Sequence, residues 1–281
     1  MSDNRRSAFR DATADHDAAA HIPDTAQTRS PTHRLAFCDE DFLLRDELRP
    51  VRLQLELLKP EMTLDEAGVQ STVVLFGGAR IPEPDTPDAA GSTTRTDLSS
   101  FYTEARRFAS EITKRALASD NRDWIVTTGG GPGVMEAGNR GAQDAGGVSI
   151  GLNIVLPHEQ APNAYVTPEL CFNFHYFAVR KIHFLMRARV ICAFPGGFGT
   201  LDELFEALTL IQTGRMQRVP VLLFGRDFWQ NIINWEGLAK AGTISDDDLD
   251  LFCFVETAQE ALDAIDAWGS TDRRSDIPGR T

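Results

Sequence analysis

The residues best suited to chemistry in this sequence lie together in the segment PGGFGTLDE, residues 195–203, where glycines precede two adjacent carboxylates. Glycine lets the backbone approach an anion closely, and the N–H groups that open a helix favour negative charge. Neighbouring helical residues point about 100° apart, so only one of Asp202 and Glu203 can face the loop. The alternative is that both carboxylates merely complement the helix dipole. The segment predicts a site for a phosphorylated ligand beside a carboxylate.

Two further glycine loops follow apolar runs: FGGAR at residues 76–80 and TTGGGPGVME at residues 127–136. The alternative for any one loop is a tight strand-to-helix turn, which needs glycine without any ligand. Spacing excludes two better-known phosphate loops. Val134 and Asp202 stand where the dinucleotide fingerprint has Gly or Ala, and none of the four lysines follows a glycine, as a P-loop requires.

A basic pair, Arg180-Lys181, precedes the 195–203 segment in the stretch FAVRKIH, residues 177–183. Lys181 is one of only four lysines, and it lies close in sequence to a loop suited to anions, so the pair is a candidate ligand contact. A solvated basic face is the alternative. His175 and His183 are expected to be packing or surface residues, and no set of His, Cys and carboxylates has the spacing of a metal site.

Short apolar runs alternate with helical segments from Ser71 onward, which predicts an α/β fold with a doubly wound, Rossmann-like parallel sheet. The predicted strands are residues 72–77, 124–129, 148–156, 188–194, 219–225 and 251–256. The predicted helices are residues 97–118, 133–145, 176–187, 200–213, 227–241 and 257–268. The core-facing stripe of the helix after the third loop is expected to consist of Leu201, Leu204, Phe205 and Leu208.

The domain organisation expected from this pattern is a single Rossmann-like domain at residues 71–269, with a helical N-terminal extension at residues 38–70. Pro50 is expected to interrupt the helical pattern of the extension. Residues 1–37 and 270–281 lack apolar periodicity and are expected to be disordered tails.

The composition of the chain limits which partners and which cellular compartment are expected. The chain has 281 residues with 28 basic and 41 acidic side chains, a formal charge of −13, which argues against binding to nucleic acid. No apolar stretch approaches the ~18 residues of a membrane span, and no signal peptide is evident, so the cytosol is the expected compartment. Cys38, Cys171, Cys192 and Cys253 are expected to be reduced and structural, the last three packing as small hydrophobes.

The motifs together resemble those of the Lonely Guy family, whose members often carry the older label "lysine decarboxylase". The resemblance spans residues 71–268 and rests on four segments: VTTGGGPGVMEAGNRGAQDAGG, SIGLNIVLPHEQAPNAY, YFAVRKIHF and FPGGFGTLDELFEALTLIQTG. The signatures GGGxGxM and PGGxGTxxE are intact, and the chain resembles the longer bacterial branch. The resemblance implies hydrolysis of the N-glycosidic bond of a nucleoside 5′-monophosphate, AMP or an N6-modified cytokinin nucleotide, to free base and ribose 5-phosphate.

The resemblance also implies the roles of individual residues. Arg180 and Glu203 correspond to the catalytic pair, while substrate contacts are implied for Gly129, Gly130, Gly131, Glu159, Lys181, Gly196, Gly197, Gly199 and Thr200. No cofactor and no metal are implied. A homodimer or higher homo-oligomer is expected. Decarboxylation would require pyridoxal phosphate on a lysine, for which Lys181 is the one candidate beside a motif. A nucleotide-binding sensor or carrier that does not cleave its ligand is the alternative function.

Overall fold

A computed structural model describes residues 10–84, 98–157 and 161–271. Glu159 and the ends of both predicted tails, residues 1–9 and 272–281, lie outside these ranges. The chain divides into two compact units, Met1–Leu57 and Leu58–Thr281. No helix in the described ranges is long and apolar enough to cross a membrane.

The first unit contains short helices. Helix α1 spans Ala12–Ala19 and helix α2 spans Glu40–Leu43, with single 3-10 turns at Pro31–His33, Ala36–Cys38 and Asp46–Leu48. Helix α3, Arg49–Glu66, begins in this unit and continues past its end. The helical pattern of the extension is interrupted, as predicted, but just before Pro50: α2 ends at Leu43 and α3 begins at Arg49. Pro50 itself lies in the first turn of α3, where its missing N–H has no partner to lose.

In the described part of the second unit, seven parallel strands form one sheet, which confirms the predicted α/β fold. The order across the sheet is β4-β3-β2-β1-β5-β6-β7. The strands are β1 Thr72–Phe76, β2 Ile125–Thr128, β3 Ser149–Ile154, β4 Cys171–Phe174, β5 Ala188–Ala193, β6 Val221–Phe224 and β7 Cys253–Val255.

Strand β4 was not expected from the sequence. It is four residues long and lies at the sheet edge, where it pairs only with β3, from Gly151–Cys171 to Ile154–Phe174. Its side chains alternate between buried and more exposed positions, so CFNF lacks the continuous apolar run by which the other strands were recognised. The strand was therefore missed in the sequence because it is short and contains the exposed Asn173.

The helices of the second unit follow the predicted pattern with one difference. They are α4 Ser100–Leu117, α5 Val134–Asp144, α6 Phe177–Leu185, α7 Phe198–Gln212, α8 Arg226–Ile232, α9 Trp235–Lys240 and α10 Ala258–Thr271. The single helix expected over 227–241 is therefore two helices. Asn234 separates them, because its side-chain Oδ1 accepts a hydrogen bond from the Gly237 N–H at 2.8 Å and so caps the start of α9.

The cysteines differ in their burial. All four are free thiols, and Cys192 is fully buried in β5 among core residues. Cys253 and Cys38 are exposed, so the expectation that Cys253 packs as a small hydrophobe is wrong. Cys253 lies at the start of the edge strand β7, which leaves one side of the residue open to solvent.

The chain reverses its direction of winding between β1 and β5, which lie side by side in the sheet. In a doubly wound sheet this switch point opens a crevice beyond the carboxyl ends of the two strands. The loops after β1 and β5 meet there, since the Gly78 N–H donates to the Pro195 carbonyl oxygen at 2.9 Å. The Val134 N–H, at the end of the second glycine loop, donates to the Gly78 carbonyl oxygen at 3.3 Å. The fold thus brings all three glycine loops to one place.

Candidate active site

A cleft of about 410 Å³ occupies the switch point. Its volume lies in the range of ~300–1,000 Å³ that is usual for small-ligand pockets. The walls come from the loops after β1, β2, β3 and β5 and from helices α6 and α7. The lining residues are Leu75, Phe76, Gly77, Gly78, Ala79, Gly129, Met135, Ile154, Leu156, Phe177, Arg180, Phe184, Gly197, Gly199, Thr200, Asp202 and Glu203.

Six of the residues expected at the site line this cleft: Gly129, Arg180, Gly197, Gly199, Thr200 and Glu203. Gly130, Gly131, Gly196 and Lys181 do not line it. Glu159 cannot be placed, since it lies outside the described ranges. The structure therefore brings together both residues of the expected catalytic pair, and the substrate contacts expected for the other positions stay predictions.

Glu203 lies on the buried face of α7, together with Thr200, Leu204 and Ala207. The core-facing stripe expected on this helix is thus wrong in part: Leu204 and Leu208 are buried, but Phe205 is exposed. Burial raises the pKa of Glu203 to about 7, against the opposing effects of the cations Arg180 and Lys181. The nearby carboxylates of Asp202 and Glu206 raise this pKa further. A carboxyl group that changes its charge near neutral pH is suited to acid–base work.

Arg180 lies beside Glu203 in the wall of the cleft. The Nη1 atom of Arg180 lies 3.8 Å from Oε1 of Glu203, and the two side chains are only 11% and 8% exposed. The Nε–H of Arg180 donates to the Leu152 carbonyl oxygen at 2.7 Å. Arg180 comes from α6 and Glu203 from α7, which are separated in the chain by β5. The pair is therefore a product of the fold that no local spacing reveals.

The start of α7 offers a place for an anion. Gly197 precedes the helix without a side-chain cap, so the N–H groups of its first turn have no partner within the helix. A Cβ at Gly197 or Gly199 would meet no atom within 4 Å, which leaves the backbone accessible from the cleft. Thr200, which directly follows Gly199, is buried and also lines the cleft.

Gly196 has a different role in the same loop. A Cβ at this position would collide with the side chain of Thr200 and lie 3.0 Å from the backbone nitrogen of Gly78. Glycine is therefore needed at Gly196 to let the loops after β1 and β5 approach each other. This packing accounts for the glycine without any ligand contact.

Lys181 is paired with the carboxylates of α7. Its Nζ lies 2.8 Å from Oδ1 of Asp202 and 3.1 Å from Oε2 of Glu206. Desolvation lowers the pKa of Lys181, but the bonds to these two carboxylates outweigh it and raise that pKa overall. The two adjacent carboxylates of the sequence are thus divided: Glu203 is buried opposite Arg180, whereas the 54% exposed side chain of Asp202 pairs with Lys181.

The second glycine loop is fixed by the partly buried side-chain amide of Asn163. The side chain of Asn163 donates to the carbonyl oxygens of Gly130 and Gly131, each at 3.0 Å, and to Oδ1 of Asn139 at 2.9 Å. The Gly130 N–H donates to Oγ1 of Thr128 at 2.9 Å. The polar groups of Gly130 and Gly131 named here are thus engaged within the protein. They fix the loop that carries Gly129.

Sequence reasoning missed the apolar wall of the cleft, which consists of Met135, Ile154, Leu156, Phe177 and Phe184. Phe177 is 51% exposed at the first turn of α6, an unusual position for a large aromatic residue. Their positions in the sequence could have identified them, because these residues lie at the carboxyl ends of strands or beside the motifs. Among the described residues, no group of His, Cys, Asp and Glu is arranged to hold a metal ion.

Comparisons with known proteins identify relatives for part of the chain. A family described as "Possible lysine decarboxylase" matches residues 135–265. A cytokinin riboside 5′-monophosphate phosphoribohydrolase of Arabidopsis thaliana is 25% identical over 161 residues, 56% of this chain and 73% of that protein. A bifunctional cytokinin biosynthesis protein of Fusarium pseudograminearum (strain CS3096) is 32% identical over 83 residues, 29% of this chain, and the match spans only 17% of that protein's length.

Solved structures also resemble the chain. The molybdenum cofactor binding protein of the phototrophic bacterium Rippkaea orientalis is 20% identical to it, with a TM-score of 0.46. That match covers 71% of this chain and 97% of the solved one.

Proposed function

We propose that this chain, whose residues 135–265 belong to the Lonely Guy family, hydrolyses the N-glycosidic bond of a nucleoside 5′-monophosphate. The matches confirm the resemblance found in the sequence. The relatives' names suggest a cytokinin nucleotide, and AMP is the simplest substrate of that class. The observation that carries the proposal is the buried pair of Arg180 and Glu203, 3.8 Å apart, in a cleft bordered by glycine loops.

The cleft provides a distinct surface for each part of a nucleotide. The 5′-phosphate would bind at the start of α7, where Gly197, Gly199 and Thr200 offer backbone N–H groups and a hydroxyl. The ribose would lie against the pair formed by Arg180 and Glu203. The base would contact the apolar wall, which offers an apolar contact surface with few polar groups. Binding energy from the unreactive phosphate then holds C1′ beside the carboxylate.

The chemistry requires a negative group near C1′. As the C1′–N bond breaks, its electron pair leaves with the base, and positive charge develops on the ribose ring. Ionised Glu203 stabilises that charge and accepts a proton from the water whose oxygen bonds to C1′. The departing base takes up a proton from solvent, which balances the proton that Glu203 later releases to solvent. The products are the free base and ribose 5-phosphate, and the ionised carboxylate is restored when Glu203 releases its proton.

The residues of the cleft do not fit pyridoxal phosphate, the cofactor that the family's older label implies. That cofactor is held by an imine to a lysine, and the amine must lose its proton to form it. No lysine in the described part of the chain lines the cleft. The nearest candidate from the sequence, Lys181, is paired with two carboxylates that raise its pKa. We therefore derive no decarboxylation step.

The experiment is incubation of the purified chain with AMP, GMP, CMP and N6-isopentenyl-AMP, followed by chromatography of free base and ribose 5-phosphate. The Glu203→Gln variant should lose turnover by ~10²-fold or more, because a neutral amide neither stabilises the ring charge nor accepts the proton. Glu236→Gln is the matched control, since Glu236 is exposed on α9 and pairs only at the surface with Lys240.

Two other results would contradict the proposal. Full turnover by Glu203→Gln would remove the assigned role of the carboxylate. Binding of AMP without release of base by the wild-type chain would favour the sensor or carrier function instead. The homo-oligomeric state and the cytosolic location stay predictions.

A further inference from the structure

The guanidinium of Arg180 is held from two directions besides Glu203. Its Nε–H donates to the Leu152 carbonyl oxygen at 2.7 Å, and its Cζ lies 5.0 Å from the ring centroid of Phe184. An arginine over an aromatic face is attracted by the ring's quadrupole, most strongly where water is excluded. The ring of Phe184 is itself fixed, because the residue is 1% exposed and meets Phe76 edge to face with centroids 5.0 Å apart.

Gly129 borders the same guanidinium. A Cβ at this position would lie 2.5 Å from Nη2 of Arg180 and 2.7 Å from Sδ of Met135. Both atoms are the ends of flexible side chains, which can move. Gly129 is not among the glycines with positive φ, so alanine can adopt its backbone conformation. An alanine here would therefore displace the ends of Arg180 and Met135 rather than disrupt the loop.

We infer that Phe184 and Gly129 are positioning residues, which together set the guanidinium of Arg180 opposite the carboxylate of Glu203. Phe184 supports the guanidinium from one face, and the missing side chain of Gly129 leaves the space that Nη2 needs. This inference rests on the proposed function. It gives Gly129 a role different from the ligand contact that the sequence suggested, because the residue serves the arginine that faces the substrate.

The first test follows the titration of Glu203 by the ¹³C resonance of its carboxyl group, assigned by its loss in Glu203→Gln. The variants are Phe184→Leu and Gly129→Ala. Arg180 and Lys181 lower the pKa of Glu203, and Asp202 and Glu206 raise it. Arg180 is the one of these four charged groups that contacts Phe184 and borders Gly129, so we expect both variants to raise that pKa above the wild-type value of about 7. The matched control is Phe108→Leu, another fully buried aromatic in the core, which does not line the cleft.

The second test measures kcat and KM for AMP in the same variants. A misplacement of ~1 Å can cost about 10²-fold in rate, so we expect kcat to fall about 10- to 100-fold in Phe184→Leu and Gly129→Ala. KM should change less, because the phosphate surface at the start of α7 is untouched and leucine keeps an apolar side chain at position 184 in the wall assigned to the base. Phe108→Leu should lose stability yet keep its kcat.

Two results would overturn the inference: an unchanged Glu203 titration in both variants, or a shifted titration with an unchanged kcat. If one variant fails to fold, the titration and the kcat of the other variant still test the inference. The titration needs no substrate. A wild-type chain that releases no base would therefore defeat the proposed function, while the titration would still test the positioning.

Discussion

The carboxylate of Glu203 and the guanidinium of Arg180 lie 3.8 Å apart with almost no access to solvent. At this separation the arginine lowers the pKa of the carboxyl group, yet burial has the larger and opposite effect and sets that pKa at about 7. Glu203 is thus a group whose charge responds to pH near neutrality. Two predictions depend on this balance.

The first prediction concerns the pH dependence of turnover. If Glu203 acts in its ionised form, kcat for AMP should rise as the pH increases through about 7 and level off above it. We would measure kcat at saturating AMP from about pH 5.5 to about pH 8.5. This range extends about 1.5 pH units on either side of the transition expected for Glu203. Glu236→Gln should keep the same profile. A wild-type profile that is flat across pH 7 would contradict the role of Glu203 as the titrating group.

The second prediction concerns stability. The pKa of Glu203 is raised from 4.5 to about 7 on folding, so the folded state binds the proton more tightly and this contribution to stability is lost as the pH rises through that window. Glu203→Gln lacks the effect. The free energy of unfolding of the variant minus that of the wild type should therefore increase by about 1–3 kcal/mol between pH 5 and pH 8. Urea denaturation at both pH values measures it, and a difference independent of pH would refute the raised pKa.

The sequence predicted the sheet well because most of its strands are buried on both faces and appear as continuous apolar runs. Strand β4 was missed because it is short and lies at the sheet edge with Asn173 exposed. The lining of the cleft was predicted only in part, since six of the eleven expected site residues line it. Asp202 and Glu203 are adjacent, and spacing alone left open which of them faces the ligand. Only the packing of α7, which buries Glu203 and leaves Asp202 to pair with Lys181, makes the distinction.

The apolar wall of the cleft could not be predicted from local sequence either. Met135 belongs to a motif, whereas Ile154 and Phe184 come from segments that would be equally apolar if they only filled the core. Which side of a strand or helix faces a cleft depends on distant elements. The contact of Arg180 with Phe184 is local, because the two residues are four positions apart on α6, but the hydrogen bond from Arg180 to the Leu152 carbonyl oxygen of β3 depends on the fold.

The third prediction concerns the loop contact at Gly133. This residue has φ of +70°, and a Cβ there would collide with the Gly78 carbonyl oxygen. Gly133→Ala should therefore destabilise the fold by more than the ~1 kcal/mol typical of a left-handed residue, because its ψ of −130° also lies outside the left-handed region and the collision adds to that strain. Gly146→Ala is the matched control, since Gly146 has φ of +80° and nothing within 4 Å of its Cβ position. Equal losses of unfolding free energy in urea would show that the contact between the loops contributes nothing.

The fourth prediction concerns the phosphate site at the start of α7. Thr200 is buried and lines the cleft, and its side chain packs against Gly196. Thr200→Val keeps the shape and removes the hydroxyl, so a lost hydrogen bond to a charged phosphate should weaken AMP binding by about 1.5–3 kcal/mol, roughly 10- to 100-fold in Kd. Calorimetry in the Glu203→Gln background would measure Kd without turnover. The loss should disappear for adenosine, which has no phosphate. An equal loss for AMP and adenosine would show that Thr200 supports the cleft without contacting the phosphate.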